Sequence, residues 1–231
     1  MRRFRLPPSS AGPLLAGLLL TLGGISQAMA QADPSNRPLW LRHPAVSPDG
    51  QHIAFVYGGQ IWRVPAGGGE AVALTGAEFI ASDPVWSPDS QSIAFSANRH
   101  GNADVFVMSA KGGEIRRLTT HSQADTPQAF TPDGKSVLFT SMRLGDPKVA
   151  FGGQLMGASI QLYSIPATGG RERLVIPVPA LGASPGPDGR FILYTSLNAP
   201  ENEWRKHAVS EATRDIWVYD TATKKHRQLT T

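Results

Sequence analysis

The chain of 231 residues contains no cysteine, so no disulfide framework holds it together and no thiolate metal site can form. It also has no Gly-x-Ser-x-Gly elbow and no His-Glu-x-x-His pair, which removes two common sequence signs of a hydrolase active site. His43, His52, His100, His121, His207 and His226 stand singly, and isolated histidines are more often structural or solvated than catalytic. Charge of one sign is scarce as well. The 22 basic residues include Arg2, Arg3 and Arg5; without those three the balance is 19 against 18 acidic residues, too even to argue for a nucleic-acid partner.

Long apolar runs are the last thing missing. The apolar stretch over residues 14–25 falls short of the roughly 20 residues a membrane-spanning helix needs. It follows the three arginines and precedes Ala28-Met29-Ala30, the layout of an export signal with a small-residue cleavage site. Residues 1–30 are therefore expected to be a signal peptide, cleaved near Gln31, with Sec-type export expected over the twin-arginine route. The mature product is expected in the periplasm or outside the cell, with no membrane attachment after cleavage.

What the chain has in excess is turn chemistry: 24 glycines and 19 prolines, the composition of many short elements joined by tight turns. The stretch "AVSPDGQHIAF" returns as "PVWSPDSQSIAF", "QAFTPDGKSVLF" and "GASPGPDGRFILY". Pro48-Asp49, Pro88-Asp89, Pro132-Asp133 and Pro187-Asp188 anchor these units at spacings of 40, 44 and 55 residues. A period near 40 to 45 residues suits one four-stranded propeller blade. Each unit supplies short alternating apolar runs, such as Ile53-Ala54-Phe55-Val56 and Gln60-Ile61-Trp62-Arg63-Val64, and three end in Leu-Thr: Leu74-Thr75, Leu118-Thr119 and Leu229-Thr230. The expected fold is all-β, an incomplete propeller of about four antiparallel blades over residues 31–231, with repeats at 39–75, 84–120, 128–176 and 182–231.

The turns have a reading that needs no ligand. In Ser47-Pro48-Asp49-Gly50 the serine bonds the backbone, the proline fixes φ and the glycine closes a type I turn, so the four Pro-Asp pairs are read as structural. Ser90 stands where Gly is expected, and Gly186 where Ser is. Gly67-Gly68-Gly69, Gly112-Gly113 and Gly169-Gly170 lie between strand-like runs with no Lys-Ser/Thr pair after them, which makes them hairpin turns and not phosphate loops. No metal and no cofactor are expected.

The repeats resemble those of TolB-like propellers, whose hallmark is a Trp-Ser-Pro-Asp-Gly turn. Two further stretches, "NEWRKHAVSEATRDIWVYD" and "RHGNADVFVMSAKGGEIRRLTTHS", are similar to the N-terminal propeller of bacterial tricorn-type serine peptidases. That resemblance implies a propeller that gates peptide substrates or guides them to a separate catalytic domain, with no catalytic residue of its own. It also implies partners, namely the peptides, the remaining peptidase domains and a homo-oligomer formed through the full-length enzyme. The family's first propeller has about six blades; four here imply a fragment with an open apolar sheet face. The alternatives are a stand-alone TolB-like scaffold and the propeller of a prolyl-oligopeptidase-type hydrolase.

Units three and four carry long insertions, over residues 142–159 and 197–214. Within the second, Trp204, Arg205, Lys206, His207 and Arg214 cluster in a segment with little to bury. Arginine and lysine can pair with a carboxylate such as a peptide C-terminus, and tryptophan offers an apolar or cation-π surface. These five are the candidate substrate-binding or interdomain residues.

Overall fold

The computed structural model describes residues 4–6, 40–143, 160–199 and 213–230; the side chains of residues 4–6, 197–199, 213 and 214 lie outside that description. Every regular element among the described residues is a strand. The first sheet holds β1 (Phe4–Leu6), β2 (Arg42–Val46), β3 (His52–Tyr57), β4 (Gln60–Pro65) and β5 (Gly69–Ala73), with β1 paired to the outer strand β5. The second holds β6 (Ala81–Trp86), β7 (Ser92–Asn98), β8 (Ala103–Ser109) and β9 (Ile115–Arg117). The third holds β10 (Asp125–Phe130), β11 (Ser136–Ser141), β12 (Gln161–Pro166) and β13 (Arg173–Ile176), and the fourth β14 (Leu181–Pro185), β15 (Phe191–Ala199), β16 (Thr213–Asp220) and β17 (Lys225–Gln228). Consecutive strands pair antiparallel, and the first strands β2, β6, β10 and β14 lie side by side from one sheet to the next. That is the blade arrangement of a propeller.

The core lies between the blades. Alternation along each strand gives a sheet two apolar faces, and the facing sides of successive blades pack on one another. Ala54, Val56 and Ile61 of the first blade join Phe95, Phe106 and Met108 of the second; Ala94 and Val105 join Val137, Phe139 and Tyr163; Leu138 and Leu162 join Ile192, Tyr194 and Tyr219. In the first of these layers Phe79, Phe95 and Phe106 pack with ring centroids 5.8–6.3 Å apart. On the fourth blade the corresponding outward face leaves Phe191, Leu193 and Ile216 exposed, and the Leu193 and Ile216 positions are ones that the next blade buries in blades one to three.

The innermost strands are edges, and they are built as edges. Pro44, Pro84 and Pro127 fall inside β2, β6 and β10, tolerable where no ladder partner is needed on one side. Each innermost strand also shifts register against its neighbour, a bulge that recurs in all four blades.

The Pro-Asp turns share one clip. Ser47 Oγ donates to Asp49 Oδ1 at 2.5 Å and accepts the His52 amide at 2.9 Å, while Asp49 Oδ1 also accepts the Gln51 amide at 3.0 Å. Ser87 with Asp89 and Thr131 with Asp133 repeat it, each at 2.6 Å. In the fourth turn Gly186 has no hydroxyl, and Asp188 keeps only the bond from the Arg190 amide at 3.0 Å. The hydroxyl and amide bonds hold the Asp49, Asp89 and Asp133 carboxyls below their ordinary range.

Candidate functional site

Antiparallel connectivity sorts the loops of every blade onto two ends. The Pro-Asp turns and the diglycine hairpins share one end; the links between second and third strands, and those from one blade to the next, share the other. The chain leaving β11 for residues 144–159 and that leaving β15 for residues 200–212 therefore depart from the same end. Loops gathered at one end of a rigid scaffold are the usual place for recognition.

That end is held by a repeated clasp. Thr75 Oγ1 accepts the Ile61 amide at 3.0 Å, Thr119 Oγ1 the Val105 amide at 2.9 Å, and Thr230 Oγ1 the Ile216 amide at 2.9 Å. The preceding leucines bond the carbonyls of the same three residues, each at 2.8 Å. Each Leu-Thr pair thus ties the end of its blade to the start of the third strand. In the third blade, which lacks the pair, the Gln161 side chain donates through Nε2 to the Pro177 carbonyl at 3.1 Å.

Beneath these clasps, between the second and third blades, lies a buried network of charge. Asp104 and Asp125 have no exposed surface, and Arg143, the last described residue before 144–159, is 5% exposed. Arg143 grips Asp125 through Nε and Nη2, pairs with Glu172 through Nη1, and stacks over Phe139 and Tyr163 at 5.1 and 5.5 Å. The Tyr163 hydroxyl lies 2.9 Å from Gln161 Oε1 and 3.2 Å from the Arg143 carbonyl, and burial raises its pKa. Asp104 pairs with Arg117 at 2.7 Å, yet burial outweighs that cation and raises the Asp104 pKa. Its Oδ1 has no hydrogen-bond partner among the described residues. This network fixes the root of one long connection; it offers no nucleophile with an adjacent base.

A second polar pair spans the inner strands. His43 and Asp83 occupy the bulge position of successive blades, both with positive φ (49° and 51°), and His43 Nδ1 lies 2.7 Å from Asp83 Oδ1. Gly182 has φ +59° at the same place in the fourth blade, where no side chain resists that conformation. Among the described residues no group of three or more His, Asp or Glu side chains could hold a metal ion, and no helix is long and apolar enough to cross a membrane.

The family of the tricorn protease N-terminal beta propeller domain matches residues 38–231, which includes every strand from β2 to β17. The chain belongs to this family. Solved structures with the same fold include putative TolB from Agrobacterium tumefaciens (TM-score 0.65, 21% identity, 83% of this chain and 62% of that one). TolB from Acinetobacter baumannii (TM-score 0.61, 22% identity) pairs 83% of this chain with 43% of its own. The tricorn protease (TM-score 0.62, 17% identity) pairs 82% with 22%. The chain thus spans less than two thirds of each of these proteins. No curated protein sequence matches it.

Within this tricorn-type propeller domain, Trp204, Arg205, Lys206 and His207 lie outside the described residues; Arg214 falls in β16, its side chain likewise outside. Pro48, Asp49, Pro88, Asp89, Pro132, Asp133, Pro187 and Asp188 all stand at the opposite end, in the turns after the innermost strands. Sequence reasoning missed Asp104, Arg117, Asp125 and Arg143. A signal existed: Arg143 ends "FTSMR" where Arg99 ends "FSANR" in the unit before, and Arg99 sits over the Phe79 ring at 4.8 Å.

Proposed function

We propose that this domain is the N-terminal propeller portion of an exported tricorn-type serine peptidase, and that it guides peptides toward the catalytic domain while breaking no bond itself. The family match over residues 38–231 carries this reading. The departure of both long connections from one end of the propeller supports it, because a single end then faces substrate and neighbouring domains. Arg205 and Lys206 bind the peptide C-terminal carboxylate, Trp204 covers the adjacent side chain, and His207 and Arg214 complete the contact. The exposed Phe191, Leu193 and Ile216 face of the fourth blade packs against further structure of the parent enzyme. Export rests on the leader-like layout of residues 1–30.

The likeness to two TolB structures favours one other reading, a stand-alone periplasmic protein-binding scaffold. The size and activity of the native product separate the two. The peptidase reading expects an antibody against this propeller to detect a much larger exported protein that cleaves peptides, while the purified 231-residue chain does not. A native product of simple propeller size without peptidase activity would favour the scaffold.

A further inference from the structure

The interfaces between successive blades follow one pattern, and the third departs from it. The last residue of each innermost strand fills the gap against the preceding blade: Trp86 in the first interface, Phe130 in the second, Pro185 in the third. Trp86 is buried and its indole N–H donates to the Ala45 carbonyl at 2.9 Å; Phe130 is buried in the second core layer. The third strand of the preceding blade supplies another filler. Arg63 reaches the Ala110 carbonyl at 2.8 Å, Val107 packs on the second layer, and the matching residue in the third blade is Ser164. At the end of the turn, Ser90 Oγ accepts the Asp49 amide of the preceding blade at 3.1 Å, and the third and fourth blades carry Gly134 and Gly189 at this place, so the second and third interfaces do not differ here.

With Pro185 and Ser164 at the two places where the earlier interfaces carry larger side chains, a cleft of about 360 Å³ opens between the third and fourth blades. Leu138, Val175 and Ile192 make its apolar wall, and the exposed Asp133 and Asp188 stand on its solvent side. No basic side chain lines it. The turns engage both aspartates through Oδ1, which leaves Oδ2 of each available to a cation.

We propose that this cleft is a docking site for a peptide segment that inserts one aromatic side chain and presents a lysine or arginine beside it. The other two interfaces show what the space accepts, since an aromatic ring fills each. Its volume is at the lower end of ligand pockets, which suits one side chain better than a cofactor. Aromatic anchors in such slots dominate peptide and protein recognition, and the Asp133 and Asp188 carboxylates at its mouth favour a positive flank beside the nearby cation Lys135. The cleft opens at the turn end, opposite the end at which the chain leaves β11 and β15, and does not depend on the function proposed above.

Isothermal titration calorimetry of the whole chain with three peptides tests this. Acetyl-Lys-Trp-Lys-amide should bind at least tenfold more tightly than acetyl-Lys-Ala-Lys-amide and than acetyl-Glu-Trp-Glu-amide. Pro185→Phe, which restores the filler of the second interface, should weaken the Lys-Trp-Lys peptide at least tenfold without lowering Tm. Asp188→Asn, which keeps the volume of the site, should weaken it several-fold and decides the matter if the phenylalanine variant does not fold. Equal binding of the three peptides, or no binding of the first, would overturn the proposal. So would wild-type affinity in either folded variant, or tryptamine binding as tightly as the peptide, which would make the cleft a small-amine site.

Discussion

Single side chains set the turns, and their chemistry predicts how the fold answers acid. The Ser47 hydroxyl is buried, donates to Asp49 and accepts the His52 amide, so Ser47→Ala should cost about 1 kcal/mol at neutral pH. Because Asp49, Asp89 and Asp133 have depressed folded-state pKa values, their contribution is complete above the unfolded value near 3.8 and is lost as pH falls below it. Urea unfolding at pH 7 and pH 3 should show the alanine penalty shrinking at the lower pH; an unchanged penalty would mean that the carboxylate has no part in the clip. Asp104 runs the other way. Its pKa is raised by burial, so it favours the fold while protonated and that support fades as pH climbs through the folded value. Asp104→Asn should therefore gain stability relative to wild type between pH 4 and pH 7, measured by the same unfolding curves.

The strand and its clasp are the next scale. Thr119 is buried and receives the Val105 amide, so Thr119→Val, equal in shape, should cost about 1–2 kcal/mol and raise hydrogen exchange at the start of β8 first. Arg143 carries more. Its removal strands Asp125 without surface or partner, and Arg143→Met should cost about 3–5 kcal/mol, with Asp125→Asn in the same chain recovering most of it. In the fourth blade, burial lowers the His226 pKa where the ring lies 4.7 Å from Tyr219 and Nδ1 lies 2.9 Å from the Tyr194 hydroxyl. A lowered histidine supports the fold above its unfolded value near 6.5 and withdraws that support below it. Protection factors in β16 and β17, which allow for the pH dependence of intrinsic exchange, should fall from pH 7 to pH 5.5, and His226→Gln should remove that fall. The blades were legible in the sequence because their signals are local: a Pro-Asp turn, an alternating run and a Leu-Thr end each sit within a few residues. The Asp125–Arg143 pair was not legible. Its members lie 18 residues apart, Asp125 at the start of β10 and Arg143 just past the end of β11, where it opens the long insertion over residues 142–159. The cleft beside Pro185 was hidden for a related reason, since it depends on two positions, Pro185 and Ser164, from two blades and shows only when the interfaces are compared.

At the scale of the molecule, four blades joined face to face leave one apolar face on the fourth, and the two longest connections leave from a single end. The account makes that end the peptide-facing one, with Arg205 and Lys206 as the carboxylate anchor and the chemistry supplied elsewhere in the parent enzyme. The most direct measurement is the affinity of the purified chain for one peptide in two forms, with a free C-terminal carboxylate and with a C-terminal amide, followed by fluorescence anisotropy. The account predicts that the acid binds at least tenfold more tightly, that Arg205→Ala with Lys206→Ala erases the difference, and that neither form is cleaved. Equal affinity for the two forms, or cleavage by the chain on its own, would contradict it.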